Sequence, residues 1–564
     1  MTSVLIERLR ADLTAANFSV TALTGLWGVD ADAALARNQR VPAERALTTL
    51  AHTRRRTEPT ATLATLFVLG RSVSRAHLIA ALPTLGADGA EKLGLIAAES
   101  SSAPTASTTA STSTSDVAGT VRPLVELRPY SFLDSFGADS WWIVSDLGEL
   151  ALGHPLGGSH VLGIGGASRT LSGLIMPTPA GRVLDLGTGC GIQAMHASRH
   201  AEHVVATDIS PRALDLAALN AELNGIDTIE FRLGSLFEPV AGERFDHIIS
   251  NPPFVITPRV PGVPSYEYRD GGMVGDALVE AVVRGAADHL TAGGVAQLLG
   301  NWEYRGSGDA FERLQGWLAP AAAAHGTADS AGPASAPLDP PAPLDAWIIE
   351  REVQLPSEYA ETWIRDGGTR PGPDFDRLYD AWLDDFTARD VTRVGFGYLL
   401  LRRPAGPPAA GAFGGLPAGA PGGTAPALQR LERLPEGLGH NPTGLGSHLE
   451  ACLQAHDWQA ARLDAQLLRA HVSVASDVTE ERHFWPGQDD PTLMTLHQGS
   501  GFGRRVALDT ALAALVGACD GDLSLGAIIG ALAQLLDADE PALTAQLLPQ
   551  VRRLLDDGFL LPPV

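Results

Sequence analysis

Residues 183–194 read VLDLGTGCGIQA, and this stretch constrains the chain more than any other. A short apolar run carries Asp185 and passes into Gly187, Gly189 and Gly191 at alternate positions, with helix-forming residues after them. Without Cβ atoms the backbone turns sharply and lets a ligand approach closely, while the next helix aims its free N–H groups at the same place. The residues that follow keep the same rhythm. Apolar runs at 203–209 (HVVATDI), 229–233 (IEFRL), 245–250 (FDHIIS) and 295–299 (VAQLL) read as strands, and 276–290 reads as a helix closed by Gly293 and Gly294. Ser210 caps a further helix with Pro211 in its first turn, ended by Asn224 and Gly225. Residues 346–353 and 394–401 read as a last strand pair. Alternation of this kind predicts an α/β fold, a mostly parallel sheet with helices on both faces. Ligands of such sheets bind at the carboxyl ends of the strands, where strand order reverses.

At 564 residues the chain exceeds one hydrophobic core. Three biased segments divide it: 99–117, rich in Ser, Thr and Ala, and 319–343 and 404–427, rich in Ala, Pro and Gly. Such compositions bury too little apolar surface to offset chain entropy, so they read as disordered linkers or insertions. The expected parts are a helical N-terminal domain (1–98), a central domain (118–403, with the insertion 319–343) and a helical or winged-helix-like C-terminal domain (428–564). Residues 72–82 (SVSRAHLIAAL) loosely match the helical half of a winged helix, and 508–516, 525–536 and 543–555 carry helical periods. The formal charge of −24 excludes non-specific nucleic-acid binding through the overall field. The basic run Arg54–Arg55–Arg56 reads as a solvated helix end. Cys190, Cys452 and Cys519 stand far apart, so neither a disulfide framework nor a metal site is expected. No apolar run approaches the roughly 18–20 residues of a membrane span, and the N-terminus lacks a signal-peptide pattern, so a cytoplasmic location is expected.

The glycine spacing is GxGxG, whereas a dinucleotide turn needs GxGxxG. An acidic residue two positions ahead suits the ammonium and sulfonium of S-adenosylmethionine (SAM), and the turn residues Gly187, Thr188, Gly189 and Gly191 suit its methionine tail. A Rossmann-type turn of another kind is the alternative. Asp208 ends the second strand, followed by Ile209, and a carboxylate there accepts from both ribose hydroxyls. After the third strand, Ser235 holds the position where, in the enzymes this chain resembles (below), an acidic residue often accepts from the adenine amino group; a hydroxyl accepts more weakly, and Leu236 and Phe237 are expected beside the ring. After the fourth strand comes Asn251–Pro252–Pro253–Phe254. Amide and exocyclic base nitrogens are weak nucleophiles because their lone pairs are delocalised. The Asn251 side-chain oxygen and the Pro252 carbonyl accept the two N–H hydrogens and turn the remaining lone pair toward the methyl donor. The two prolines fix the backbone, and Phe254 stacks on the planar group. Orientation of this kind supplies on the order of 7–11 kcal/mol in favourable systems. Residues 266–272 (YEYRDGG) read either as a mobile lid, with Tyr268 or Arg269 on the substrate, or as a surface turn. Asn301–Trp302 follows the fifth strand; Trp302 is expected in the core.

In the order VLDLGTGCG, TDIS, GSLF, SNPPF, the chain resembles the class I SAM-dependent methyltransferases of the small-domain type. These include release-factor glutamine N5-methyltransferases and nitrogen methyltransferases of ribosomal and transfer RNA. The resemblance covers about residues 120–403. It implies a Rossmann-like sheet of seven strands, the last antiparallel, with Asn251 on the target nitrogen, Asp208 on the ribose and residues 185–191 on the methionine part of SAM. The expected activity is methyl transfer to a planar nitrogen of a macromolecule, a protein glutamine amide favoured over a base of structured RNA. A non-catalytic SAM-binding scaffold is the rival from another class. The longer N-terminal part and the additional C-terminal domain depart from the family, so the exact target and the oligomeric state stay open.

Overall fold

The computed structural model describes residues 2–53, 58–99, 119–153, 156–319, 344–404 and 428–563. The basic run 54–56 and, apart from their first residues, the three biased segments lie outside the described residues. Eight strands form the central sheet: β1 (Ala180–Leu186), β2 (Ala201–Asp208), β3 (Ile229–Leu233), β4 (Phe245–Ser250), β5 (Leu290–Arg305), β6 (Asp345–Gln354), β7 (Val391–Arg402) and β8 (Gln429–Arg433). Their order is β8-β6-β7-β5-β4-β1-β2-β3. β7 runs antiparallel between β5 and β6, and the remaining pairs are parallel. Strand count departs from the expected seven. The eighth strand, β8, comes from residues that read as part of the C-terminal region, and it extends the sheet by pairing Ile348 with Leu431.

The period of two in the strands builds two cores, one on each sheet face. Leu184, Val205, Ile248 and Leu298 enter one cluster; Val183, Val204, Ile249 and Leu299 enter the other. β1 has β2 on one side and β4 on the other, so strand order reverses at β1 and a crevice opens above its carboxyl end. Helix Pro211–Leu223 between β2 and β3 starts as its residues predict, with the Ser210 side chain accepting from the Ala213 N–H and Pro211 in the first turn.

Both flanks mix helices with small antiparallel sheets. On the N-terminal side, Val73–Ser74, Ile96–Ala98 and Thr120–Pro123 form one sheet, and Val125–Asp134 pairs with Gly137–Asp146 as a hairpin. Leu127 and Ile143 of that hairpin share a core with Leu9 and Phe67 of the N-terminal helices and with Ile192 and Met195 behind the glycine turn. Asn220 fastens the pieces. Its fully buried amide accepts from the Val144 N–H at 2.7 Å and donates to the carbonyls of Val144 and Cys190, each at 2.9 Å. On the C-terminal side, helices Gly446–Ala460, Thr510–Gly517, Leu525–Leu535 and Glu540–Asp556 accompany a three-stranded sheet of residues 478–508. Among the described residues no helix is long and apolar enough to cross a membrane.

Candidate functional site

A cavity of about 640 Å³ opens at the carboxyl ends of β1, β2 and β4, within the usual size of a small-molecule site. Gly187, Thr188, Gly189, Asp208, Ile209, Ser235, Leu236, Asn251, Pro252, Pro253 and Phe254 all line it. The turn is set by hydrogen bonds from below. The N–H groups of Gly187 and Thr188 donate to the Thr207 carbonyl, each at 2.9 Å. Gly189 N–H donates to Asp208 Oδ2 at 2.9 Å. A Cβ at Gly187 or Gly189 would meet nothing within 4 Å, so both face open space. Gly191 does a different job: with φ of +86° its Cβ would stand 2.9 Å from that of Ala217, so glycine there lets the turn lie against helix Pro211–Leu223.

Two expected positions move. Asp185 and Gly191 do not line the cavity. Asp185 is fully buried beneath the turn, where Oδ2 accepts from Thr188 Oγ1 at 2.6 Å and from the Ala194 N–H at 2.9 Å. Its Oδ1 is buried with no partner. Burial pushes this carboxyl up to about 7, against the two hydrogen bonds that favour its charge. Asp185 therefore organises the turn from underneath. Phe237 also departs from expectation. It turns away from the cavity to stack on His289, ring centroids 4.4 Å apart, over Gly285. The left-handed backbone at Leu236, φ of +47°, reverses the chain there and separates the two side chains.

Asp208 accepts one backbone N–H on each oxygen, from Gly189 and from Ser210 at 2.8 Å, which leaves each oxygen further lone pairs. Burial raises its pKa. Ile209 projects beside it, 61% exposed, an apolar surface with no protein cover. At the other end of the cavity, Asn251 Oδ1 is buried and has no hydrogen-bond partner. Phe254 tilts against Phe396 at 5.6 Å.

The segment 266–272 lines this end. Tyr268 lines the cavity edge-on to His160, centroids 5.8 Å apart, and Gly271 is close enough to Pro253 that a Cβ would stand 2.9 Å from its ring. Arg269 also lines it, but its guanidinium lies over Tyr266 and donates to the Trp363 carbonyl at 2.9 Å. Trp302 is fully buried, its Nε1–H donating to Glu350 at 2.8 Å, as expected of a core residue. Asn301 is buried behind the cavity wall on Tyr359.

Sequence reasoning missed two walls. Residues 159–163 and 165–168 line the crevice, and their signal was the glycine run Gly157, Gly158, Gly163, Gly165 and Gly166 ahead of β1. Trp363 and Asp366, from helix Pro356–Asp366 between β6 and β7, line it as well. No local pattern marked that helix as part of a site. Among the described residues no cluster of His, Cys, Asp or Glu is placed to hold a metal.

A family model described as the methyltransferase small domain matches residues 163–307, the stretch that supplies the turn, Asp208 and Asn251. Residues 163–307 are thus similar to the methyltransferase small domain. Its flanks match two domains of unknown function, DUF7059 over residues 15–106 and DUF7782 over 450–562. The release factor glutamine methyltransferase of Xylella fastidiosa is 39% identical over 132 residues, 22% of this chain and 47% of that protein. The ribosomal protein uL3 glutamine methyltransferase of Bradyrhizobium diazoefficiens is 39% identical over 21% of this chain and 40% of its own length. The ribosomal RNA small subunit methyltransferase C of Salmonella newport is 29% identical over 29% of this chain and 44% of its own length. The chain thus spans less than half the length of these curated relatives.

Proposed function

We propose that this protein is a SAM-dependent N-methyltransferase whose acceptor is a planar N–H group of a macromolecule. The observation that carries the reading is the Asn251 carbonyl oxygen, buried at the end of the cavity with no partner. Leaving a buried acceptor unmade costs about 1–3 kcal/mol, and an incoming N–H removes that cost. The cavity fits the cofactor on its own terms. Open space lies over Gly187 and Gly189, Asp208 has unused acceptor capacity for two hydroxyls, Ile209 offers an uncovered apolar face for a ring, and the Asp185 charge lies beneath the methionine end. When bound, SAM supplies an electrophilic methyl group on a sulfonium.

The protein's part is orientation. Asn251 Oδ1 and the Pro252 carbonyl take the acceptor's N–H hydrogens, which holds the nitrogen lone pair in line with the donor. Phe254 and Tyr268 offer the planar group apolar ring faces. As the nitrogen takes the methyl group and the donor's S–C bond breaks, Asn251 Oδ1 stabilises the positive charge developing on the N–H, and one N–H proton is released to solvent once the transfer is complete.

A protein amide is favoured over an RNA base. A polyanionic acceptor is normally drawn in by a basic groove. Among the residues lining this cavity, Asp208, Glu267 and Asp366 are acidic, and the one guanidinium, Arg269, is 7% exposed and committed to Trp363. Tritium-labelled SAM incubated with the protein and a cell lysate tests both levels. The expected label enters macromolecules and is released by protease and not by ribonuclease. Ribonuclease-sensitive label would turn the acceptor into RNA, and no label with intact cofactor binding would point to the scaffold reading.

A further inference from the structure

The acceptor loop and segment 266–272 hang from a single helix that is foreign to both. Helix Pro356–Asp366 lies between β6 and β7, about a hundred residues downstream. Tyr359 on that helix is 3% exposed, and its hydroxyl accepts from the backbone N–H of Ile256 at 3.0 Å and from Asn301 Nδ2 at 2.5 Å. Ile256 stands two residues after Phe254. One turn further along, the Trp363 carbonyl accepts from Arg269 Nη1 at 2.9 Å. Arg269 in turn offers its own carbonyl to the Val255 N–H at 2.9 Å. Gly367 lets the guanidinium come this near, since a Cβ there would stand 3.0 Å from Nη1.

We propose that this helix is a clamp that sets the acceptor end of the cavity, with Tyr359 a positioning residue for methyl transfer. The inference rests on the proposed function and deepens it. The loop carrying Asn251 has no strand partner after Ser250, and two consecutive backbone N–H groups, of Val255 and Ile256, tie it down where those two side chains enter the core. One is held by segment 266–272, the other by Tyr359. The Tyr359 hydroxyl and the Trp363 carbonyl belong to one helix, about one turn apart, so its hydrogen-bonded ladder keeps the two holds at a constant spacing. A shift of the loop by about an ångström moves the Asn251 oxygen off the nitrogen and costs about 100-fold in rate.

Tyr359→Phe removes the hydroxyl and keeps the ring in its apolar cluster with Trp382 and Phe386. Phe386→Leu loosens the same cluster without touching the hydroxyl. The expected result for Tyr359→Phe is faster deuterium exchange at the Ile256 amide, by 10-fold or more. The initial rate of labelled methyl transfer to a lysate at saturating SAM falls at least 10-fold, and the half-saturating SAM concentration stays within twofold. Phe386→Leu is expected to lower the melting temperature and leave the Ile256 amide protected. Unchanged exchange and rate in Tyr359→Phe, or equal losses in both variants, would overturn the clamp. If the wild-type protein transfers no methyl group, the proposed function fails, while the Ile256 exchange still decides the clamp.

Discussion

The two ends of the cavity are built by different means. The cofactor end is local: Asp185, the glycine turn, Asp208 and Ser235 follow one another within about fifty residues, each at the end of a strand or in the turn after it. The acceptor end is assembled from afar. Asn251 comes from the β4 exit, Tyr268 and Arg269 from segment 266–272, and Trp363 and Asp366 from an inserted helix. A site made from one supersecondary unit is fixed once its strands pair. A site made from three segments depends on the contacts among them, which is where a family can change acceptor without changing cofactor.

Alanine at Asn251 tests the separation most severely. On the proposed reading the Asn251 side chain acts chiefly on the acceptor, so Asn251→Ala is expected to cut methyl transfer by about 100- to 1000-fold, the usual loss for one preorganised polar partner of a transition state. The rise in melting temperature on adding S-adenosylhomocysteine should persist, since that shift reports cofactor binding only. A variant that loses the shift as well would mean that the two ends are not independent.

The reverse substitution is expected to act in the opposite way and more weakly. Asp208→Ala removes a carboxylate that has a lone pair free for each of two hydroxyls; water partly replaces it at this open position, so the net loss is about 1.5–3 kcal/mol in all. SAM affinity should fall about 10- to 100-fold by calorimetry, while the transfer rate at saturating SAM stays within threefold. A rate that collapses at saturation would place Asp208 in the chemistry.

The same contrast explains what the sequence revealed. Strand ends, the GxGxG turn and the NPPF run are local patterns whose meaning follows from a period and a turn, and they placed Gly187, Asp208 and Asn251 on one cavity. Phe237 was misjudged because its orientation hangs on the left-handed Leu236 before it, which no neighbouring glycine announced. Tyr359 and Trp363 carried no signal, because a tyrosine and a tryptophan at helical spacing read equally well as core, and Tyr359 is indeed in a core. β8 was likewise hidden by the biased segment that separates it in sequence from the sheet it joins.

Asp185 gives the finest test, because it belongs to the cofactor end without touching the cavity. Its folded pKa is raised, to about 7 against 3.8, by burial. The folded state therefore binds the proton more tightly than the unfolded chain, and the stability this provides is present below pH 3.8 and lost as pH rises toward 7. Three pH units correspond to as much as about 4 kcal/mol. Asp185→Asn keeps an oxygen to accept from Thr188 and Ala194 and carries no charge. Relative to wild type its melting temperature should climb steadily from pH 4 to pH 7 and level off above. Cofactor affinity should run the other way. A bound cation favours the ionised carboxyl, so wild-type SAM affinity should rise from pH 6 to pH 7.5, whereas the variant should bind more weakly with a flat profile. Parallel stability curves for the two proteins would mean that burial does not raise the Asp185 carboxyl, and the pH dependence derived from it would fall.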